Sequence, residues 1–193
     1  MYHKIIKPLV ERILALVLLV IAMPVMILFT VVLAITNPDE TVFFKQKRLG
    51  FKNKHFTMIK FRTLMKESSD KNIGHLPEEI TKAGLFLRKY KLDELPQLWQ
   101  VICGRMSLIG PRPLPVEYEF IIERKFSGRK EVLPGITGLV QVKGGNRLSW
   151  EERLTLDKQY INSIGFWVDL KIVIKTFRTM FFPFEEEISQ SLI

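Results

Sequence analysis

Lys91-Leu92-Asp93-Glu94-Leu95-Pro96-Gln97-Leu98-Trp99-Gln100-Val101-Ile102-Cys103-Gly104-Arg105-Met106-Ser107-Leu108-Ile109-Gly110-Pro111-Arg112-Pro113 places an acid pair before an apolar helical pattern and closes on a Pro-Arg-Pro corner. Asp93 is a good helix N-cap, Glu94 and Leu95 fall in the first turn, and Pro96 costs no helical hydrogen bond that early. The acids are therefore expected at a helix N-terminus, where free N–H groups and the positive dipole end stabilise an anionic side chain or a bound phosphate. By spacing alone, a plain cap is the commoner use of such residues. The corner changes the balance. Prolines 111 and 113 fix the backbone on both sides of one guanidinium, a rigid way to present Arg112 as a bidentate phosphate ligand.

Working outward, the chain from Ile13 to Ile35 carries no charge. About 23 apolar residues can cross roughly 30 Å of hydrocarbon as a helix. Two features favour a hairpin. Lys4, Lys7 and Arg12 lie before the stretch and Lys45, Lys47, Arg48, Lys52 and Lys54 after it, so a simple span leaves one basic cluster outside, against the positive-inside tendency. Pro24 sits near the middle, where it removes a helical hydrogen bond and bends the axis. From the residues alone, span and hairpin stay open. The expected division is a membrane helix over 1–36, broken near Pro24, and one domain over 37–193.

Thr41–Phe44 and Phe56–Thr63 read as two short strands joined by a basic loop from Lys45 to Lys54. Lys60 and Arg62 are two apart and share a face, so both can meet one polyanion; a solvated basic edge is the equal alternative. Ser68 to Pro77 reads as a loop, and Glu78 to Tyr90 as a helix whose basic end delivers Arg88 towards Asp93. A helix C-terminus favours a basic residue on structural grounds too.

Beyond the corner, Val116–Phe126 is an amphipathic helix with no assigned chemistry. Pro134 to Arg147 is rich in glycine, which suits a phosphate cradle or tight turns, without the Walker order. Ser149 and Glu152 form a capping box for a helix to Ile164. Phe166–Phe182 carries Lys171, Lys175 and Arg178 on one face of a broad apolar helix, the pattern of a helix lying in a membrane interface; a core-packed terminal helix is the alternative.

The 193 residues hold one sizeable core plus a membrane element. The net charge of +9 suits nucleic acid, anionic lipid or phosphorylated substrates alike. Cys103 is the single cysteine, which excludes an intramolecular disulfide and points to a reducing compartment; it is expected in the core. His3, His55 and His75 lack metal-ligand spacing and read as surface residues.

Leu92-Asp93-Glu94-Leu95-Pro96-Gln97-Leu98 together with Met106-Ser107-Leu108-Ile109-Gly110-Pro111-Arg112-Pro113 resembles the bacterial sugar transferases, the small monotopic phosphoglycosyl transferases. The likeness extends to Gln46, Arg48 and Gly50, the Lys60-Phe61-Arg62 run, Pro134-Gly135-Ile136-Thr137-Gly138, Gln141-Val142, Leu156-Asp157, Tyr160 and Trp167-Val168-Asp169-Leu170-Lys171. That resemblance implies transfer of a sugar-1-phosphate from a UDP-sugar to a polyprenol phosphate, with undecaprenyl phosphate expected, releasing UMP at the cytoplasmic face of the inner membrane. It implies a catalytic Asp93-Glu94 dyad, a requirement for Mg2+ with Asp93 and Glu94 as its ligands, and a re-entrant helix that enters and leaves on one side. It places Lys60, Arg62 and Gln141 near the nucleotide phosphates, and Asp157 and Asp169 as supports. Gly145 stands where the family usually has arginine, and Arg147 follows as a possible substitute.

The expected fold is α/β or α+β, helix-rich with little regular sheet and several interfacial helices. The leading reading is a membrane enzyme with lipid partners and no nucleic acid. A non-catalytic anchored module binding anionic lipid or nucleic acid is the rival. It accounts for the charge and the apolar stretch but not for an acid pair beside a proline-locked arginine, and the chain lacks zinc, helix-turn-helix and aromatic RNA-binding motifs.

Overall fold

A computed structural model describes residues 1–64 and 80–181. The loop expected over Ser68–Pro77, the first residues of the helix expected from Glu78, His75 and Phe182 lie outside them. A π-helical turn at Tyr2–Ile6 leads into α1, Lys7–Thr36. The hairpin β1 (Phe43–Leu49) and β2 (His55–Phe61) follows, then α2 (Lys82–Lys89), a 3-10 turn at Leu92–Glu94, α3 (Gln97–Ile102) and β3 (Ser107–Ile109). The chain continues through α4 (Glu119–Lys125), a 3-10 segment at Ser127–Glu131, β4 (Gly135–Thr137) and α5 (Leu139–Lys143). It closes with α6 (Trp150–Asn162) and α7 (Phe166–Phe181). β1 pairs antiparallel with β2, and β3 parallel with β4, so helices dominate and the sheets are small.

The hairpin is longer than expected: pairing runs from Phe43↔Phe61 to Leu49↔His55, so Lys45, Lys47 and Arg48 belong to a strand rather than a loop. α2 begins at Lys82, where the Thr81 hydroxyl accepts from the Gly84 N–H, not at Glu78. The capping box of α6 forms as expected, with Ser149 and Glu152 exchanging hydrogen bonds.

α1 carries through Pro24 as one helical element. Pro24 is on the exposed side. Lys7, Glu11, Ala15 and Leu33 are buried and Leu19, Met26 and Phe29 are partly buried, a stripe at helical spacing that packs along the domain. Its first half meets Leu98, Val101 and Met106, and its second half meets Phe61 and Leu87. The opposite face leaves Ile13, Leu16, Val20, Ile27, Leu28, Val31 and Ile35 exposed.

A buried polar cluster ties the start of α1 to the C-terminal half. Lys7 Nζ donates to Glu11 Oε1 and Asp169 Oδ2, both at 2.8 Å. Tyr2 and Tyr160 hydroxyls also donate to Asp169, and Glu11 accepts from the Ser107 hydroxyl and the Ile109 N–H of β3. Asp169 is therefore a structural hub, because two phenols and an ammonium consume its carboxylate.

Gly135 and Gly138 serve packing rather than a phosphate cradle. A Cβ on Gly135 would overlap the Gly110 nitrogen, and one on Gly138 the Gly110 carbonyl oxygen, as the β3 and β4 backbones come together. Residues 139–143, expected in a loop, form α5 instead. Cys103 is exposed, since α3 ends at Ile102 and the chain turns outward. Of the histidines, His55 is exposed and lies 2.9 Å from Glu119, whereas His3 is partly covered. Gly135→Ala has only backbone to displace and should destabilise the fold by about 3 kcal/mol in urea unfolding; a loss under 1 kcal/mol would show that the β3–β4 contact is looser than described.

Candidate active site

One face of the hairpin, Phe44, Gln46, Arg48, Lys60 and Arg62, forms a wall of a cleft of about 480 Å³. Arg88 from the end of α2, Lys91, Asp93, Glu94, Arg112, Glu117, Tyr118 and Asn146 complete much of the lining. Alternation along the strands explains the wall: residues two apart point the same way, and Phe44 pairs with Lys60 across the ladder.

Asp93 does not cap a helix. Lys91 adopts the left-handed conformation (φ 56°), its N–H bonding the Arg88 carbonyl, and turns the chain sharply out of α2. Asp93 then falls inside the 3-10 turn, with no side-chain cap there, and α3 starts only after Pro96. A non-glycine residue held at positive φ costs on the order of 1 kcal/mol, a cost typical of functional turns. Its effect is to bury the Asp93 side chain at the cleft instead of folding it back on the backbone.

The two acids have different surroundings. Arg112 Nη2 donates to Glu94 Oε1 at 2.8 Å. Burial would raise the Glu94 pKa, but the Arg112 charge and hydrogen bond, with Lys60 and Lys91, hold it below its ordinary value. Asp93 is 6% exposed and makes no hydrogen bond or ion pair among the described residues. Burial, then the Glu94 charge, pushes its pKa up, while Lys60, Arg88 and Arg112 oppose that rise. Burial likewise pulls Lys60 and Arg88 down.

The cations differ in how far neighbours commit them. Arg88 Nε donates to Thr63 Oγ1 at 2.8 Å. Arg62 bonds the Thr41 carbonyl and hydroxyl, both at 2.9 Å, and sits 3.3 Å from Glu40. Lys60 lies over the Phe44 ring, 5.3 Å from its centroid. Arg48, part of the basic hairpin but not among the expected ligands, faces the cleft while bonding Gln46 and the Pro113 carbonyl. Its pKa is lowered to about 10 by burial and by Arg112.

The structure thus brings Asp93, Glu94, Lys60, Arg62, Arg88 and Arg112 together. It leaves the others out. Gln141 lies on α5 with both amide atoms buried and away from the lining, and exposed Arg147 does not line the cleft; their neighbour Asn146 does. A side chain at Gly145 would meet open space, although φ there is +57°. Asp169 belongs to the α1 cluster. Asp157 pairs with Arg129 at 3.1 Å behind the Pro-Arg-Pro corner, and burial, partly offset by Arg129, pushes its pKa up to about 6.

Glu117 and Tyr118, in the segment to which no chemistry was assigned, reach the cleft through a 3-10 turn at Val116–Tyr118. The signal available was their place directly after the proline corner. Among the described residues no group of three or more His, Cys, Asp or Glu could hold a metal alone. Asp93 and the unbonded oxygen of Glu94 suit Mg2+, which is ordinarily held by one or two carboxylates plus substrate phosphates and water. A buried anion, a paired anion beside it and several surrounding cations can bind a diphosphate and act on its phosphorus.

The sequence profile of the bacterial sugar transferases matches residues 2–183. The uncharacterized sugar transferase EpsL of Bacillus subtilis (strain 168) is 45% identical over 156 residues, covering 80% of this chain and 77% of that protein. UDP-glucose:undecaprenyl-phosphate glucose-1-phosphate transferases of Xanthomonas campestris pv. campestris and Escherichia coli (strain K12) are 34% and 33% identical across 91% and 90% of this chain. The chain spans 38% and 40% of the length of those two relatives. With the match running through the apolar helix α1, the acid pair and the Pro-Arg-Pro corner alike, the chain belongs to the bacterial sugar transferase family.

Proposed function

We propose that the protein transfers a sugar-1-phosphate from a UDP-sugar to a polyprenol phosphate such as undecaprenyl phosphate, releasing UMP, through a phosphosugar ester on Asp93. The carrying observation is the Asp93 carboxylate itself, buried and unbonded among the described residues within a ring of cations. A carboxylate oxygen of Asp93 attacks the sugar-bearing phosphorus, and the bond from that phosphorus to the UMP oxygen breaks. A phosphate oxygen of the lipid then attacks the same phosphorus and frees the carboxylate. Asp93 needs no general base, because a carboxylate is a nucleophile once ionised. Its obstacle is repulsion from an anionic diphosphate, which Arg112, Arg88, Lys60 and Arg48 offset. Asp93 and Glu94 would hold Mg2+, which supplies further charge neutralisation on the phosphates when bound. The names of the full-length relatives supply the donor and acceptor classes.

We place the enzyme on the cytoplasmic face of the inner membrane with α1 re-entrant. The support is that residues from both halves of α1 pack on the same domain, whereas a helix crossing about 30 Å of hydrocarbon separates its ends. Pro24 on the exposed side suits a bend towards the packed stripe. On α7, Trp167, Leu170, Ile174, Phe177 and Phe181 form an exposed apolar stripe beside Lys171, Lys175 and Arg178, which suits an interfacial seat.

The covalent route is tested without acceptor. Labelled UMP should exchange into the UDP-sugar in the absence of polyprenol phosphate, and Asp93→Asn should abolish that exchange while remaining folded. Exchange that requires acceptor, with no trapped adduct, would favour direct attack by the lipid phosphate. Turnover by neither route with any UDP-sugar would sink the transfer reading.

The cost of burying the Asp93 charge gives a second, activity-free prediction. Its folded-state pKa is raised, so the ionised form destabilises the fold above that pKa and the penalty vanishes as pH falls through it. In chelator at pH 7, Asp93→Asn should melt above wild type, and the gap should close on acidification. A lower melting temperature at pH 7 would mean that the carboxylate is structural.

Orientation is testable because exposed Cys103 can be replaced at little cost. In a Cys103→Ser background, Lys4→Cys and Lys52→Cys should both resist an impermeant thiol reagent applied outside intact cells and react in inverted vesicles. Labelling of position 4 alone from outside would establish a span.

A further inference from the structure

The Pro-Arg-Pro corner is held by three consecutive carbonyls. Pro111 O accepts from the Gly135 N–H at 2.9 Å, Arg112 O from Arg129 Nη2 at 2.6 Å, and Pro113 O from Arg48 Nη1 at 3.0 Å. The peptide planes on either side of the Arg112 Cα are therefore fixed, and with them the direction of its side chain towards Glu94. Prolines at 111 and 113 restrict the flanking φ angles and leave those residues without N–H donors, so the carbonyls are the handles.

The three holders differ in kind. Gly135 is main chain of β4, and Arg48 itself faces the cleft. Arg129 does neither: it comes from the 3-10 segment at Ser127–Glu131, its side chain is 9% exposed, and it does not line the cleft. Asp157 on α6 lies 3.1 Å from Arg129 Nε, beside the Nη2 arm that meets the Arg112 carbonyl. A buried guanidinium carries five N–H donors, more than one carboxylate can accept, so Arg129 needs partners beyond Asp157. It spends another arm on the carbonyl of the residue that grips Glu94.

Resting on the transfer reading above, we propose that Arg129, oriented by Asp157, is a positioning residue for Arg112: the pair acts on phosphosugar transfer from behind the cleft, through the Arg112 carbonyl and without touching substrate. Asp157 is thus linked to the active site, by a route different from direct support of the acid pair. Loss of the arm lets the corner rotate about the Arg112 Cα and misaims the guanidinium. Errors of about 1 Å in such a group can cost on the order of a hundredfold in rate.

A double-mutant cycle on UMP release tests this. Arg129→Met alone leaves Asp157 buried without its cation, so Arg129→Met/Asp157→Asn is made beside it to remove both charges together. Arg129→Lys retains the charge and a donor group but loses the planar fork. With folding checked by thermal melts, both Met variants should lose about 10- to 100-fold in kcat/KM, and Arg129→Lys should recover part of it. In an Arg112→Ala background the same changes should cost less than about twofold, because nothing remains to be positioned. Full additivity with Arg112→Ala overturns the proposal, as does a wild-type rate in the doubly substituted protein. Failure of the transfer reading is distinguishable. If wild type turns over no UDP-sugar, the decision passes to hydrogen exchange of the Gly135 and Leu49 amides, which donate to the Pro111 and Leu114 carbonyls; it rises in the doubly substituted protein if the corner is released and stays at the wild-type rate if the inference is wrong.

Discussion

Burying a carboxylate beside a second acid is the constraint from which most of this architecture follows. An isolated carboxylate taken out of water prefers to take up a proton, and a second acid next to it strengthens that preference. Asp93 has both handicaps, and the cations that oppose them come from separate elements: Lys60 from β2, Arg88 from the end of α2 and Arg112 from the proline corner. None of the three is bonded to Asp93 among the described residues, so each acts through space. A neutralising partner in contact would stabilise the Asp93 carboxylate further but would also occupy its oxygens.

Supplying charge from distant segments requires those segments to be rigid relative to one another. The hairpin contributes through strand pairing, and Leu49 N–H joins it to the Leu114 carbonyl just past the corner. The corner is joined in turn to β4 by the close Gly110–Gly135 approach and to α6 by Arg129 and Asp157. Beneath these, Lys7 serves two carboxylates, and one of them, Glu11, grips β3 immediately before the corner. Breaking such a buried pair by removing one partner typically costs about 3–5 kcal/mol, so the apolar helix and the active-site corner are coupled mechanically. The helix with the exposed apolar face and the strand that leads to Arg112 thus share one polar cluster.

What could be read from the sequence follows how local each signal is. The capping box at Ser149, the amphipathic pattern of α7 and the alternation that puts Lys60 and Arg62 on one face are decided within a few residues, and all three have the expected geometry. The acid pair was legible as a pair but not in its backbone setting, because the left-handed Lys91 that turns Asp93 inward has no glycine to announce it. The glycines at 135 and 138 looked like a phosphate cradle since glycine permits both uses; which one applies depends on Gly110, more than twenty residues earlier. Asp169 and Asp157 are similar buried acids in sequence. Only the fold separates them, giving one to Lys7 and the tyrosines and the other to the arginine behind the corner.

The same logic divides the labour between the two neighbouring acids. Adjacent residues in a 3-10 turn point their side chains about a third of a turn apart, so one arginine cannot serve both equally. Arg112 serves Glu94, fixing it as an anion whose charge is spoken for. That pairing removes part of the repulsion Glu94 exerts on Asp93, and leaves Asp93 the more basic carboxylate of the two. Basicity at a carboxylate oxygen accompanies nucleophilicity, provided the group is still ionised. An arginine aimed at Glu94 therefore acts on Asp93 indirectly, by relieving repulsion and opposing the rise of its pKa through space. Holding Arg112 to that one direction is why three carbonyl hydrogen bonds converge on a corner of three residues.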